Sequence, residues 1–375
     1  MATAWRTELS FSDRLANVHK ISFTYRGASS SATPAEAQGE ATSVETAAFN
    51  EATSVNTQDN QRGDTSVKLD LGSYKGATFY ENGLFSAIYK ATAPSQKPPD
   101  ASEVYKPGAL VALKLTRPST MGPPHDSLRE ARILRYAQGP GIVPLWDSFH
   151  RSGGEFVLVF PFLRHDLEEL LVQRNLSKEQ AVLILRDVFT ALAHIHSKGI
   201  IHRDVKPSNI LIKSLDGPAY LADFGIAWSE SDSASEKADR KITDVGTTSY
   251  RPPELLFGHQ SYTSASDMWA AGCVVAEVVN HSQKPLFESG ELGSELTLIH
   301  SMFQKLGTPT LDVWPEAAKF RDWGKMQFFR YPPRSWSDLL PHASEVERDL
   351  VRRLVCFESG QRLSAVDALR HPYFL

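Results

Sequence analysis

Residues 200–212 read IIHRDVKPSNILI, a knot of charged and amide side chains set between two apolar runs. The flanking isoleucines and leucine belong inside a fold, and they carry His202, Arg203, Asp204, Lys206 and Asn209 in with them. Unpaired buried charge is costly, so these side chains must pair with one another or line a cleft. Asp204 and Asn209 stand five apart, a spacing that suits one loop delivering a base and a metal ligand to the same place. Soon after comes LADFGIA, where an apolar strand ends at Asp223 and is followed by Phe224 and Gly225. The glycine frees the backbone to take unusual angles beside the acid. Either stretch alone reads equally well as a capped turn or a buried ion pair. Both together, in this order, point to one site.

The surrounding pattern sets the class of fold. From about residue 71 short alternating or β-branched runs follow one another: GATFYENG, FSAIYKAT, LVALKLT, IVPLWDSFH and EFVLVFPF. A helical DSLREARILRYA interrupts them after the third run. Beyond residue 166 helical periodicity takes over, as in LSKEQAVLILRDVFTALAHIHSKG and SASDMWAAGCVVAEVVNH. Strands first and helices second predict an α+β chain of two lobes. The first, about 71–163, is a small antiparallel sheet with one helix; the second, about 164–375, is larger and mainly helical. Before them lies an N-terminal extension, 1–70, whose residues 28–66 are too poor in large apolar side chains to offset the entropy of ordering. Its LSFSDRLANVHKISFTYRG segment fits a short strand, a docking arm or a disordered tail. The proline-rich APSQKPPDASEVYKPG, 93–108, reads as an extended surface loop.

Composition removes several function classes. Lys and Arg number 40 against 44 Asp and Glu, a balance that gives no basic patch for nucleic acid or a membrane surface. The longest apolar run, MWAAGCVVAEVV, is broken by Glu277 and falls short of the ~20 residues of a membrane span. The first residues lack the basic-then-apolar layout of a secretory signal. Cys273 and Cys356 read as small buried hydrophobes in a reducing compartment. The expectation is an intracellular monomer, in nucleus or cytoplasm.

HRDVKPSN, DFG and the VALK of residues 111–114 resemble the signature set of eukaryotic protein kinases. The likeness continues through GTTSYRPPELLFG, SDMWAAGCVVAE, LGTPTLDVWPE and GQRLSAVDALRHPYF, and so covers roughly residues 76–375. SYRPPELLFG, KPLF and FQKLGTPTLDVWPE resemble the cyclin-dependent-kinase-like branch, the last being its characteristic insert. The resemblance implies the bilobal protein kinase fold and transfer of the terminal phosphoryl group of ATP, with Mg²⁺, to serine or threonine of protein substrates. It implies that Asp204 accepts or orients the proton of the substrate hydroxyl and that Lys206 stabilises the migrating group. Asn209 and Asp223 would hold the metal. Lys114 would contact the inner phosphates and pair with a helix glutamate, Glu130, whose duller reading is a surface charge. Thr247, the threonine of the segment before PPE, joins this catalytic set. Adenine would lie between Ala112, Ile88 and Tyr80 above and Leu211 below, with Phe160 behind and backbone around Phe162 and Leu163 at the hinge. Asp267 would brace the catalytic loop, Arg362 would pair with Glu254, and Trp269 reads as structural.

Four departures from the family pattern qualify these implications. The glycine-rich lid becomes Glu81, Asn82, Gly83, Leu84, Phe85, Ser86, keeping only its central glycine, with Ser86 as a small replacement. Glu81 would repel phosphate oxygens unless it points away. Arg203 ordinarily pairs with a phosphate on the activation segment, whose usual acceptor falls at Ile242; Thr243 is the nearest hydroxyl, and Glu236, Asp239 and Asp244 offer permanent charge. Activity without phosphorylation of that segment is the expectation. RPSTMGPPHDSLRE lacks the branch's cyclin-docking pattern, which argues against dependence on a cyclin-like partner. Val245 and Gly246 before Thr247 resemble kinases with no need for proline after the target, although a strained backbone would also select the glycine. These departures suggest a kinase that phosphorylates the activation segments of other kinases. The competing readings are a scaffold on the same fold with weakened ATP binding and a small-molecule phosphotransferase, and the YRPPE and DMWAAG segments argue against the second.

Overall fold

The alternation of apolar and polar residues in the first part of the chain is realised as one antiparallel sheet. The computed structural model describes residues 68–375 apart from Asp100, Asn175, Gln283, Glu291 and Leu292. Six strands, β1 (Leu69–Leu71), β2 (Tyr74–Asn82), β3 (Ser86–Thr92), β4 (Leu110–Thr116), β5 (Asp147–His150) and β6 (Phe156–Pro161), lie in the order β1-β2-β3-β4-β6-β5. The first strand starts at Leu69, inside the segment assigned to the extension. The rest of that extension lies outside the described residues.

The pleat sorts side chains between two faces. Val111 and Leu113 point outward into a cluster with Tyr74, Trp146, Val157 and Val159. Ala112 and Lys114 point inward, opposite Phe160 and Leu158. The 93–108 loop is more than a surface connection: Ala101 and Tyr105 are buried in the outer cluster, and Ser102 donates its amide to the Trp146 carbonyl at 2.7 Å. It caps an apolar sheet face that would otherwise meet water. On the inner face lies α1 (Ser127–Ala137), whose N-cap Asp126 accepts from the Arg129 amide at 2.9 Å. Ile133, Leu134 and Ala137 bury one side of this helix, while Arg132 and Arg135 face out.

The second lobe is built on α2 (Leu167–Gln173), α3 (Lys178–Ser197), α4 (Ala265–Val279), α5 (Glu295–Leu306) and α6 (Glu345–Leu354). A capping box of Ser177 and Gln180 starts α3, which buries Ile184, Val188, Leu192 and Ile195 along one stripe. Helix α4 is apolar nearly all round and is the lobe's central helix, with Cys273 enclosed in it. Short strands mount the polar loops on this base: β7 (His165–Asp166), β9 (Ile210–Ile212) and β10 (Ala219–Leu221) form one ladder. A second ladder pairs β8 (Ile200–Ile201) with β11 (Trp228–Ser229). Arg362 makes a fully buried, two-pronged pair with Glu254 at 2.7 Å, its guanidinium 5.1 Å from the Trp269 ring centre. Among the described residues no helix is long and apolar enough to cross a membrane.

Candidate active site

The loop between β8 and β9 is held from below by Asp267 of α4. Its carboxylate accepts the backbone N–H of His202 at 2.8 Å, that of Arg203 at 2.9 Å, and His196 Nε2 at 2.9 Å. His202 is buried, its ring edge-on to Phe224 and bonded to the Ala222 carbonyl at 3.0 Å. Arg203 sits at φ +71°, a left-handed conformation rare for a residue with a Cβ. The chain therefore reaches Asp204 with its direction already fixed.

Asp204 is the hub of the site. Its Oδ2 accepts from Asn209 Nδ2 and meets Lys206 Nζ, both at 3.0 Å. Its Oδ1 accepts from the amide and the hydroxyl of Thr247, each at 2.8 Å, and Lys206 Nζ donates to the same hydroxyl at 2.8 Å. One carboxylate thus joins the catalytic loop to the activation segment.

A second set stands at the sheet. Lys114 Nζ meets Glu130 Oε1 at 2.7 Å and Asp223 Oδ1 at 2.7 Å. Burial alone would lower the Lys114 ammonium, but Asp223 and Glu130 reverse this and hold it above its usual range. Burial pushes the Glu130 carboxyl up to about 6 against the pull of Lys114. Lys114 holds Asp223 well below the usual carboxylate range. Asp223 is left-handed at φ +60°, and its side chain remains half open to the cleft. A Cβ at Gly225 would stand 3.2 Å from Asp223 Oδ1 and 3.6 Å from Lys114 Nζ, so the glycine leaves the trio its room. Glu130 is buried, which removes the surface-charge reading.

Between the two sets opens the cleft. Ile88 lies opposite Lys114, and Ala112 opposite both Lys90 and Phe160, which gives these residues one face. Tyr80 sets its ring edge-on to Phe162 at 5.2 Å, and Lys90 Nζ lies 4.3 Å over Phe162. The Phe162 amide is committed to the Leu110 carbonyl at 3.0 Å, so it is not free to donate to a ligand. Leu211 on β9 is half-buried against the core of the second lobe. In the lid, the Gly83 amide donates to the Ser86 carbonyl at 2.7 Å, and a Cβ at Gly83 would come within 2.7 Å of Ser86 Oγ. The register sets Glu81 opposite Ile88, and cross-strand partners share a face, so its carboxylate stays on the cleft side. The sequence reading missed the lid's anchor: Phe85 packs on His125, ring centres 4.5 Å apart. Nothing in the local pattern marks a contact between residues so far apart.

The acidic residues of the activation segment separate clearly. Glu236 pairs with Arg203 through both oxygens, at 3.2 and 3.1 Å. Asp244 meets Arg251 at 2.8 Å and is largely exposed, and Asp239 is exposed. Gly246 lies at φ +75°, where a Cβ would stand 2.3 Å from the Arg203 carbonyl oxygen, and its own carbonyl accepts from Arg251 Nε at 2.9 Å. Close passage over the catalytic loop is a sufficient reason for this glycine.

With the geometry described, the comparisons give it a family. The family model for the protein kinase domain matches residues 102–374. The chain belongs to the protein kinases. It is 38% identical to serine/threonine-protein kinase csk1 of Schizosaccharomyces pombe, over 63% of this chain and 77% of that protein. It is 37% identical to cyclin-dependent kinase 20 of Danio rerio, over 71% of this chain and 76% of that protein. Cyclin-dependent kinase D-1 of Oryza sativa subsp. indica is 33% identical, over 83% and 69%. The chain is a serine/threonine protein kinase of the cyclin-dependent-kinase-like branch. The family match begins after the lid hairpin, which is where the glycines are missing; β2 nevertheless pairs with β3, and β3 along its whole length with β4, so the sheet is complete.

Proposed function

We propose that phosphoryl transfer from ATP to a serine or threonine hydroxyl takes place at Asp204, in the cleft it shares with Lys114 and Asp223. Asp204 receives or orients the hydroxyl proton, and Lys206, 3.0 Å from that carboxylate, screens charge on the moving group. Thr247 ties the substrate-side segment to the same carboxylate and so positions the acceptor chain. Lys114 holds the inner phosphates, kept in place by Glu130. Ala112, Ile88, Tyr80 and Leu211 enclose the base, with Phe160 behind it and Phe162 and Leu163 at the hinge.

Asn209 and Asp223 fit the magnesium ion that the family uses. Asp223 is ionised and open to the cleft, while the Asn209 amide nitrogen is spent on Asp204, which directs its oxygen elsewhere. A hard cation held by one or two oxygen side chains takes its other ligands from phosphates and water. When bound, it supplies neutralisation of phosphate charge.

The substrates we propose are activation segments of other kinases, phosphorylated without a cyclin. The missing cyclin-docking pattern supports this, as do α1 contacts made by the chain itself, Arg132 with Asp232 at 2.7 Å. The observation that carries the reading is the Asp204 hub, four donors around one carboxylate. The test is transfer of radiolabelled phosphate to a panel of kinases with dephosphorylated activation segments, wild type beside Asp204→Asn. Labelling by wild type alone, on an activation-segment threonine and with no cyclin added, is expected. Equal labelling by both proteins overturns it.

A further inference from the structure

Two elements must stay in register for this site to work: the catalytic loop that carries Asp204, and α1, which carries Glu130. Both are gripped by one stretch, residues 229–236, reading SESDSASE. At the loop, Arg203 precedes Asp204, and its side chain is fully buried with Glu236 across both guanidinium nitrogens. At the helix, Arg132 meets Asp232 through both carboxylate oxygens, at 2.7 and 3.1 Å, and Arg129 donates to the Ala234 carbonyl at 3.4 Å.

The stretch is itself stiff. Asp232 accepts from the Ala234 amide at 2.9 Å, and the Ser235 hydroxyl accepts from the Ser229 amide at 3.1 Å. The Glu236 carbonyl accepts from the Trp228 indole at 2.7 Å. That indole is covered in turn by the Lys241 ammonium at 4.5 Å, which also lies 5.3 Å from Tyr262. A rigid turn with one carboxylate at each end spans the two elements.

We propose that Glu236 and Asp232 are positioning residues for phosphoryl transfer, a built-in carboxylate clamp that does the work of an added phosphate. Two-pronged pairing of guanidinium with carboxylate fixes direction as well as distance. Removing the charge of Glu236 leaves the buried Arg203 guanidinium with the distant Ile226 carbonyl at 3.5 Å and the Tyr262 ring centre at 5.6 Å, and among the described residues Arg203 Nε has no partner already. Arg203 would then leave its left-handed geometry and take Asp204 with it. Displacement by about 1 Å at a reacting group lowers turnover by about a hundredfold. For Glu236 the Lys114 contacts to nucleotide lie outside this chain of effects, so its loss falls on kcat, whereas Asp232 acts through α1 and Glu130 on Lys114 and its loss reaches KM for ATP as well.

The inference rests on kinase activity at Asp204, and the test keeps the two apart. Full-length wild type, Glu236→Gln, Glu236→Asp, Asp232→Asn, Thr243→Ala and Asp204→Asn are assayed for kcat and for KM of ATP, with wild type measured also after phosphatase treatment. Phosphatase-treated wild type and Thr243→Ala should stay within about twofold of untreated wild type, while Glu236→Gln should lose about a hundredfold in kcat with KM for ATP little changed. Asp232→Asn should lose about tenfold, and Glu236→Asp should recover part of the loss. Because Glu236→Gln could simply misfold, its melting temperature is read beside the Arg203→Gln/Glu236→Gln double variant. The double variant should be no worse than the poorer single one, since both break one interaction. Glu236→Gln within about threefold of wild type, in a preparation where Asp204→Asn is inert, overturns the clamp and leaves the active site standing. So does a tenfold or larger loss on phosphatase treatment, on the order that removing an activating phosphate would give. If wild type and Asp204→Asn transfer phosphate equally, it is the active site that fails.

Discussion

Asp267→Asn tests whether the catalytic loop is positioned from beneath. The carboxylate is buried and accepts three hydrogen bonds, two from consecutive backbone amides and one from His196. Asparagine keeps the shape but has one acceptor oxygen, so its NH₂ must face the second backbone N–H. Losing one bond to a charged acceptor and burying two donors against each other should destabilise the fold by about 3–4 kcal/mol. For a domain of this size that is a fall in melting temperature of about 5–6 °C. Turnover should fall about a hundredfold beyond any loss of folded protein, because the Arg203 amide precedes Asp204 directly. Burial would raise the Asp267 carboxyl, but His196, His202 and the amides outweigh it and hold it below its usual 3.8. Its contribution is therefore present above the unfolded value and lost as pH falls through the lower folded one. The gap between wild type and variant should stay constant from neutral pH to about 4 and close below that. Calorimetry and steady-state kinetics on both proteins check this. A variant melting within about 2 °C of wild type, with kcat within about threefold, would refute the reasoning.

Other outcomes follow from the same geometry. Glu81→Gly should tighten ATP about fivefold by calorimetric titration, since a like charge at about 8 Å and an effective dielectric of about 40 opposes binding by about 1 kcal/mol. With burial setting the Glu130 carboxyl at about 6, that group gains its proton as pH falls through this value and Lys114 loses a charged partner. kcat/KM for ATP should drop there in wild type, and Glu130→Gln should show no such step. Gly246→Ala places a Cβ 2.3 Å from the Arg203 carbonyl, so kcat should fall at least about a hundredfold in a phosphotransfer assay. Arg362→Ala strands buried Glu254 and should lower unfolding free energy in urea by about 3–5 kcal/mol.

Much of the site was legible because its residues are packed into two short stretches. Asp204, Lys206 and Asn209 come from one loop, and Asp223 lies shortly after, so their order in the chain carries their proximity. The sheet strands were legible from period-two alternation, as with Val111 and Leu113 against Ala112 and Lys114. What escaped depends on contacts distant in sequence. Tyr105 folds back on Trp146, which a proline-rich composition conceals. Phe85 on His125 and Asp232 on Arg132 pair side chains whose types are common at any surface. Glu236, Asp239 and Asp244 stood equal on charge alone, and only the path of the chain placed Glu236 on Arg203.

The Arg362–Glu254 bridge has a consequence for biosynthesis. Glu254 belongs to the platform beside the activation segment, yet its counterion is translated more than a hundred residues later. Until that stretch clears the ribosome, a nascent chain holds a bare acid where the platform should close, and a buried acid without its counterion does not stay folded. The platform can therefore close only after Arg362 has been made.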